Sequence, residues 1–163
     1  MLAQNITFGV LALVMGVSAL RVVTTKNIVH AALYLVLVLA GVAGIFILLA
    51  AEFLAIVQIL VYIGAIVVLF LFGIMLTRAP IGKSNELDNE QRWIGVLVGA
   101  GLFALLAAIL YDGFEKTKVE PTQLTTSGEV GLAIFQDYVI PFEVISVLLL
   151  AALVGAVVIA RRD

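Results

Sequence analysis

Cysteine is absent from the 163 residues. Its absence removes disulfides, thiolate metal sites, thioether-attached haem and iron–sulfur clusters held by this chain, so any electron transfer has to occur elsewhere. Histidine is nearly absent too. His30 stands alone, with no Asp or Glu three or four residues away, and reads as a helix-end residue facing lipid headgroups rather than a metal ligand. Charged residues make up only 12% of the chain, the net charge is -2, and no run of Lys and Arg is long enough to track phosphates. Nucleic acid is excluded as a partner.

What fills the chain instead is hydrophobic, at 64% of residues, far outside the globular range. The expected solvent is the lipid bilayer. A hydrocarbon core about 30 Å thick takes about 20 apolar residues of helix, and five stretches come near that length: roughly 6–23, 28–49, 53–76, 93–111 and 142–160. They are apolar on all faces without period-2 alternation, which makes them helices rather than barrel strands. The fold class is therefore an all-α integral membrane protein of five transmembrane helices in a single membrane domain, 1–163, with loops at 77–92 and 112–141. Residues Met1–Asn5 carry no Lys or Arg, and Arg21 rather than a small-residue cleavage site follows the first stretch, which reads as a retained helix.

Laying the helices alternately across a membrane puts Arg21, Lys26, Arg78, Lys83, Arg92, Arg161 and Arg162 on one side. The other side receives Lys116 and Lys118, set among Asp112, Glu115, Glu120, Glu129 and Asp137. By the positive-inside rule the N-terminus is outside and the C-terminus cytoplasmic, so 77–92 is a cytoplasmic loop and 112–141 an external one. The external loop contains Pro121 and a Thr/Ser run at 125–127, and its pattern allows a short surface helix around Glu129–Tyr138.

Small residues recur at helical spacing: Gly41 and Gly44, Gly95 and Gly99, Ala151 and Gly155. Such pairs let helix backbones approach closely, either within this chain or against other subunits. Ionisable residues inside the apolar stretches are few. Glu52 and Glu143 lie near helix starts, where the helix N-terminus and the interface stabilise them without a function, and they rank as secondary candidates. Neither is a mid-membrane proton relay. With no central acid or lysine and no repeated halves, a stand-alone transporter is disfavoured.

The third stretch is the unusual one. Gln58 and Tyr62 are four residues apart, which on an α-helix puts both on one face. Gly64 follows near mid-span, where a lost side chain loosens the backbone and favours a break or π-bulge.

This stretch also carries a family resemblance. Ala51-Glu52-Phe53-Leu54-Ala55, Val57-Gln58, Val61-Tyr62-Ile63-Gly64-Ala65, Val68-Leu69-Phe70-Leu71-Phe72 and Met75-Leu76 closely resemble the third helix of subunit J of the proton-pumping NADH:quinone oxidoreductase, respiratory complex I, called chain 6 in mitochondria. Pro141-Phe142-Glu143 leading to Leu148-Leu149-Leu150-Ala151 and Gly155-Ala156 resembles the family's last helix less distinctively. The resemblance implies a non-redox membrane subunit of a large complex. NADH, FMN, iron–sulfur clusters and quinone are then expected on partner subunits, and the neighbours are expected to be the small subunit K and the quinone-proximal subunits A and H.

It further implies a π-bulge in the third helix that relaxes to α-helix, coupled to water and proton access. Carried over residue by residue, the bulge spans Val61 to Val68 around Tyr62, Gly64 and Ala65, with Gln58 beside it. Ile63 departs from the family by standing where a smaller residue is frequent, which bears on packing at the bulge. The expected location is the bacterial plasma (inner) membrane, with an organellar inner membrane as the alternative. Competing readings are the equivalent subunit of a ferredoxin- or deazaflavin-dependent complex, and a cation/proton antiporter subunit.

Overall fold

A computed structural model describes residues 2–77, 91–115 and 125–161. Arg78, Lys83, Lys116, Lys118, Glu120, Pro121 and Arg162, used in the charge argument and the loop reading, lie outside the described residues. Among the described residues all regular structure is helical: α1 (Leu2–Thr24), α2 (Ile28–Leu48), α3 (Glu52–Leu76), α4 (Arg92–Glu115), α5 (Ser127–Gln136) and α6 (Val139–Ala160). All but α5 are long and apolar enough to cross a membrane, as expected for five spans.

The first two helices form an antiparallel pair. Asn27 caps α2, its side-chain oxygen accepting from the backbone N–H of Val29 at 2.9 Å and of His30 at 3.4 Å. Two orphan donors of the helix start are satisfied in this way. Gly41 and Gly44 of α2 then meet Met15 and Leu11 of α1. A Cβ at Gly41 would overlap the Met15 side chain, with Sδ only 2.8 Å away, and one at Gly44 would sit 3.1 Å from Leu11 Cδ2. Glycine here lets the α1 side chains seat against the α2 backbone, the kind of contact that holds helices together in lipid.

A tight turn joins α2 to α3. Ala50 adopts φ 56, the left-handed region, and its N–H donates to Ile47 O at 3.0 Å while the Ala51 N–H donates to Phe46 O at 2.8 Å. These two bonds are the Schellman pattern, normally built on glycine because a Cβ is strained there. The turn leaves α3 antiparallel to α2 and packed along it.

The remaining helices stand differently from their sequence outline. Thr126 and Glu129 close a capping box: Glu129 Oε2 accepts from Thr126 N–H at 2.9 Å, and Thr126 Oγ1 accepts from Glu129 N–H at 3.4 Å. The short helix of the 112–141 loop therefore begins at Ser127, two residues earlier than its apolar pattern shows, and ends at Gln136. The last span starts at Val139 rather than 142. Pro141 falls in its first turn, where the missing N–H would have had no helical partner. Phe135 meets Phe142 edge-on at 5.1 Å between ring centres, tying α5 to α6, and α5 also touches the start of α3.

Helix α4 packs against no other described element, and a Cβ at Gly95, Gly99 or Gly155 would meet nothing within 4 Å. Of the two roles open to these glycines, packing within the chain is not the one used among the described residues.

Two substitutions test this frame. Ala50→Gly relieves the left-handed strain, offset in part by a more flexible unfolded chain, and is expected to stabilise by about 0.5–1 kcal/mol. Gly41→Val forces a side chain into Met15 and is expected to cost about 1–3 kcal/mol. SDS titration of the protein in mixed micelles, followed by circular dichroism, measures both.

Candidate functional site: the π-helical middle of the third span

Helix α3 is wound in three parts: α-helix over Glu52–Val57, π-helix over Gln58–Val67 and α-helix again over Val68–Leu76. A single-turn bulge is the usual form of i→i+5 bonding, so a π stretch of 10 residues is long. Several features of the sequence disfavour tight winding here. Ile59, Val61, Ile63, Ile66 and Val67 are β-branched and crowd the turn before them in an α-helix. At Gly64 a Cβ would lie 3.3 Å from the carbonyl oxygen of Ile59, five residues back. That carbonyl is the one an i→i+5 bond brings closest, and the hydrogen in place of a side chain leaves it room.

The winding decides which residues face α2. Burial along α3 picks out Gln58 (7% exposed), Ile63 (half-buried) and Val67 (3% exposed), spaced five and then four. Upstream Ala55, and downstream Leu71 and Ile74, continue the stripe at α spacing. Among the described residues only α2 is in reach of the π segment apart from its own flanking turns, so this stripe is the α2-facing side. On α winding, at about 100° per residue, Val67 would sit about half a turn away from Gln58. The π winding returns it to the same side.

The sequence-based pairing of Gln58 with Tyr62 on one face is corrected by this geometry. Burial separates the two: Gln58 is 7% exposed and Tyr62 46%. Among the described residues, the Tyr62 hydroxyl has no hydrogen-bond partner. Val61, Gly64 and Ala65 are likewise exposed. Tyr62, Gly64, Ala65, Val61 and Gln58 all lie within the π stretch, which begins three residues before Val61, whereas Val68 is the first residue of the α-helix that follows.

Gln58 has a partner. Its Nε2 donates to the carbonyl oxygen of Leu39, midway along α2, at 3.4 Å. A primary amide in hydrocarbon needs such an acceptor, but nothing in sequence spacing says which carbonyl supplies it. Leu39 is the site residue that sequence reasoning misses, while Ile63 and Val67 fall inside the expected bulge span without being picked out as facing α2. The secondary candidates stand elsewhere: Glu52 is exposed in the first turn of α3, and Glu143 is exposed on α6, which among the described elements touches only α5. Neither joins the π segment. The donor set also does not fit an iron–sulfur cluster, since the chain has no cysteine, and no group of three metal-ligating side chains occurs among the described residues.

Sequence comparison points to one family. The family described as NADH-ubiquinone/plastoquinone oxidoreductase chain 6 matches residues 18–159. The chain is similar to NAD(P)H-quinone oxidoreductase chain 6 of the cyanobacterium Synechocystis, at 42% identity over 98% of this chain and 82% of the relative. It is 40% identical to F(420)H(2) dehydrogenase subunit J of Methanosarcina mazei, over 98% of this chain and 92% of that one. A chloroplast NAD(P)H-quinone oxidoreductase subunit 6 from Chlorokybus atmophyticus is also 40% identical, over 90% and 78%. A match over nearly the whole chain, including the span that carries the π segment, makes this protein a member of the NADH-ubiquinone/plastoquinone oxidoreductase chain 6 family.

Proposed function

We propose that the chain is a non-redox membrane subunit of a proton-translocating NADH:quinone oxidoreductase, and that its third span helps couple quinone reduction to proton movement by changing winding. Flavin, iron–sulfur clusters and quinone would be held by partner subunits. The small subunit K and the quinone-proximal subunits A and H are the proposed neighbours, in a bacterial plasma membrane with the N-terminus outside and the C-terminus cytoplasmic.

The observation that carries the coupling role is the swap of faces that two windings of one segment produce. With π winding, Gln58, Ile63 and Val67 face α2 while Val61, Tyr62 and Ala65 are exposed. With α winding, residues three, four and seven beyond Gln58 share its face, and those are Val61, Tyr62 and Ala65. The change therefore turns Ala65 toward α2 and Val67 away from it, and swings the Tyr62 hydroxyl across by about a fifth of a turn. A hydroxyl that meets water in one winding and is withdrawn in the other opens or dries a water wire without any acid in the segment. Gly64 permits the wider form because no side chain meets the Ile59 carbonyl.

A second reading rests on the Methanosarcina relative, whose name specifies F(420)H(2), a deazaflavin donor, rather than NAD(P)H. The donor would bind another chain in either case. Purifying the complex from native membranes and adding NADH or reduced F420 separates the two by which donor bleaches its flavin. Copurification with an antiporter chain and no flavin or iron–sulfur subunit would sink both.

The coupling role is tested at Gly64. In the assembled complex, Gly64→Val or Gly64→Leu is expected to cut proton uptake per quinone reduced by at least half, with quinone reduction itself within about threefold of the parent, a loss of about 0.6 kcal/mol or less in transition-state stabilisation. Unchanged stoichiometry in a fully assembled complex would refute the winding change as the coupling step.

A further inference from the structure

The π segment could in principle pass its rotation to either end of α3, and the structure holds the two ends unequally. The upstream end, Glu52–Val57, is fixed twice. It follows a turn of a few residues whose backbone is closed by the Ala50 and Ala51 hydrogen bonds. It then runs into Gln58, whose amide donates to Leu39 O from a position only 7% exposed. Leu39 belongs to α2, which is itself seated on α1 through Gly41 against Met15 and Gly44 against Leu11.

Breaking the Gln58 bond would leave an amide in hydrocarbon with no water to replace the lost acceptor. The downstream end has no comparable hold. The less exposed residues of this half, Val67, Leu71 and Ile74, are all apolar, and in a membrane apolar contacts are exchanged for lipid tails of equal apolarity. No side-chain hydrogen bond joins Val68–Leu76 to another element among the described residues.

Resting on the winding change proposed above, we infer that Gln58 is its fixed point: a positioning residue that holds the Glu52 end of α3 against α2, so that the whole rotation is delivered to the half beyond Gly64. The boundary of the π stretch at Gln58 is then set by the amide bond, since a residue locked to α2 cannot turn with the residues after it. Tyr62, four residues on, turns part of the way. Val67 and the helix from Val68 to Leu76 turn by about half a revolution, the difference between the two windings over nine residues. Glu52, on the held side, keeps its place throughout.

The test uses the intact complex. Gln58→Leu keeps the side chain's bulk and removes the donor; Gln58→Met does the same with a longer, more adaptable chain and serves where the leucine variant assembles poorly. Two readouts are taken from each: a map fine enough to show the carbonyls of residues 52–76, and protons translocated per quinone reduced in inverted vesicles. Without the donor, the i→i+5 bonding no longer starts at residue 58, Glu52–Val57 is rotated against α2, and the proton-to-quinone ratio falls to half or less while quinone reduction stays within about twofold. A π stretch that still begins at residue 58, with the Ala55, Ile63 and Val67 stripe unmoved, overturns the anchor whatever the ratio does. A displaced stretch with an unchanged ratio leaves the anchor standing and removes the coupling role of the winding change instead.

Discussion

A carboxamide in a hydrocarbon interior has to find an acceptor, and Gln58 finds one only because α3 lies along α2. Its donor reaches the Leu39 carbonyl only if α3 lies close along α2, and α2 in turn is braced by side chains of α1 seated on two glycines. In water this bond would be worth little, because solvent would replace it. In lipid no replacement exists, so one polar contact among mostly apolar ones fixes orientation. The apolar contacts supply area and close fit, which lipid supplies nearly as well.

The winding of α3 answers a second constraint. From Glu52 to Leu76 the span has 25 residues, more than the about 20 that an α-helix needs to cross the hydrocarbon. A π stretch absorbs part of that excess, because its wider turns advance less per residue, and it keeps Gln58, Ile63 and Val67 on one side. The same stretch is where β-branched side chains and a glycine make α winding least favourable. Local propensity and span length thus select one place for the irregularity.

Much of this is written plainly in the sequence, and the parts that are not share a cause. The five spans follow from apolar length alone, and the Tyr62-Ile63-Gly64-Ala65 neighbourhood marks both the family and the site of the irregular winding. Spacing groups Gln58 with Tyr62, whereas only Gln58 is buried, since which of two near neighbours meets α2 depends on where that helix lies. α6 starts at Val139, three residues before the apolar stretch drawn from 142, with Pro141 in a first turn that accepts it. The capping box at Thr126 and Glu129 is legible as a Thr-x-x-Glu pattern and places the start of α5 better than its apolar residues do. The identity of Leu39 as acceptor is not legible at all: every residue of α2 offers a carbonyl, and only the approach angle of two helices chooses among them.

Helix α4 shows what the chain leaves to others. Twenty-four residues long and apolar, it touches no other described element, and its glycines Gly95 and Gly99 open onto empty space. A span that meets no neighbour among the described residues draws no position from them. α1, α2 and α3 hold one another and α5 ties α6 to the start of α3, so α4 is the one described span whose fixing is left to surfaces outside those residues.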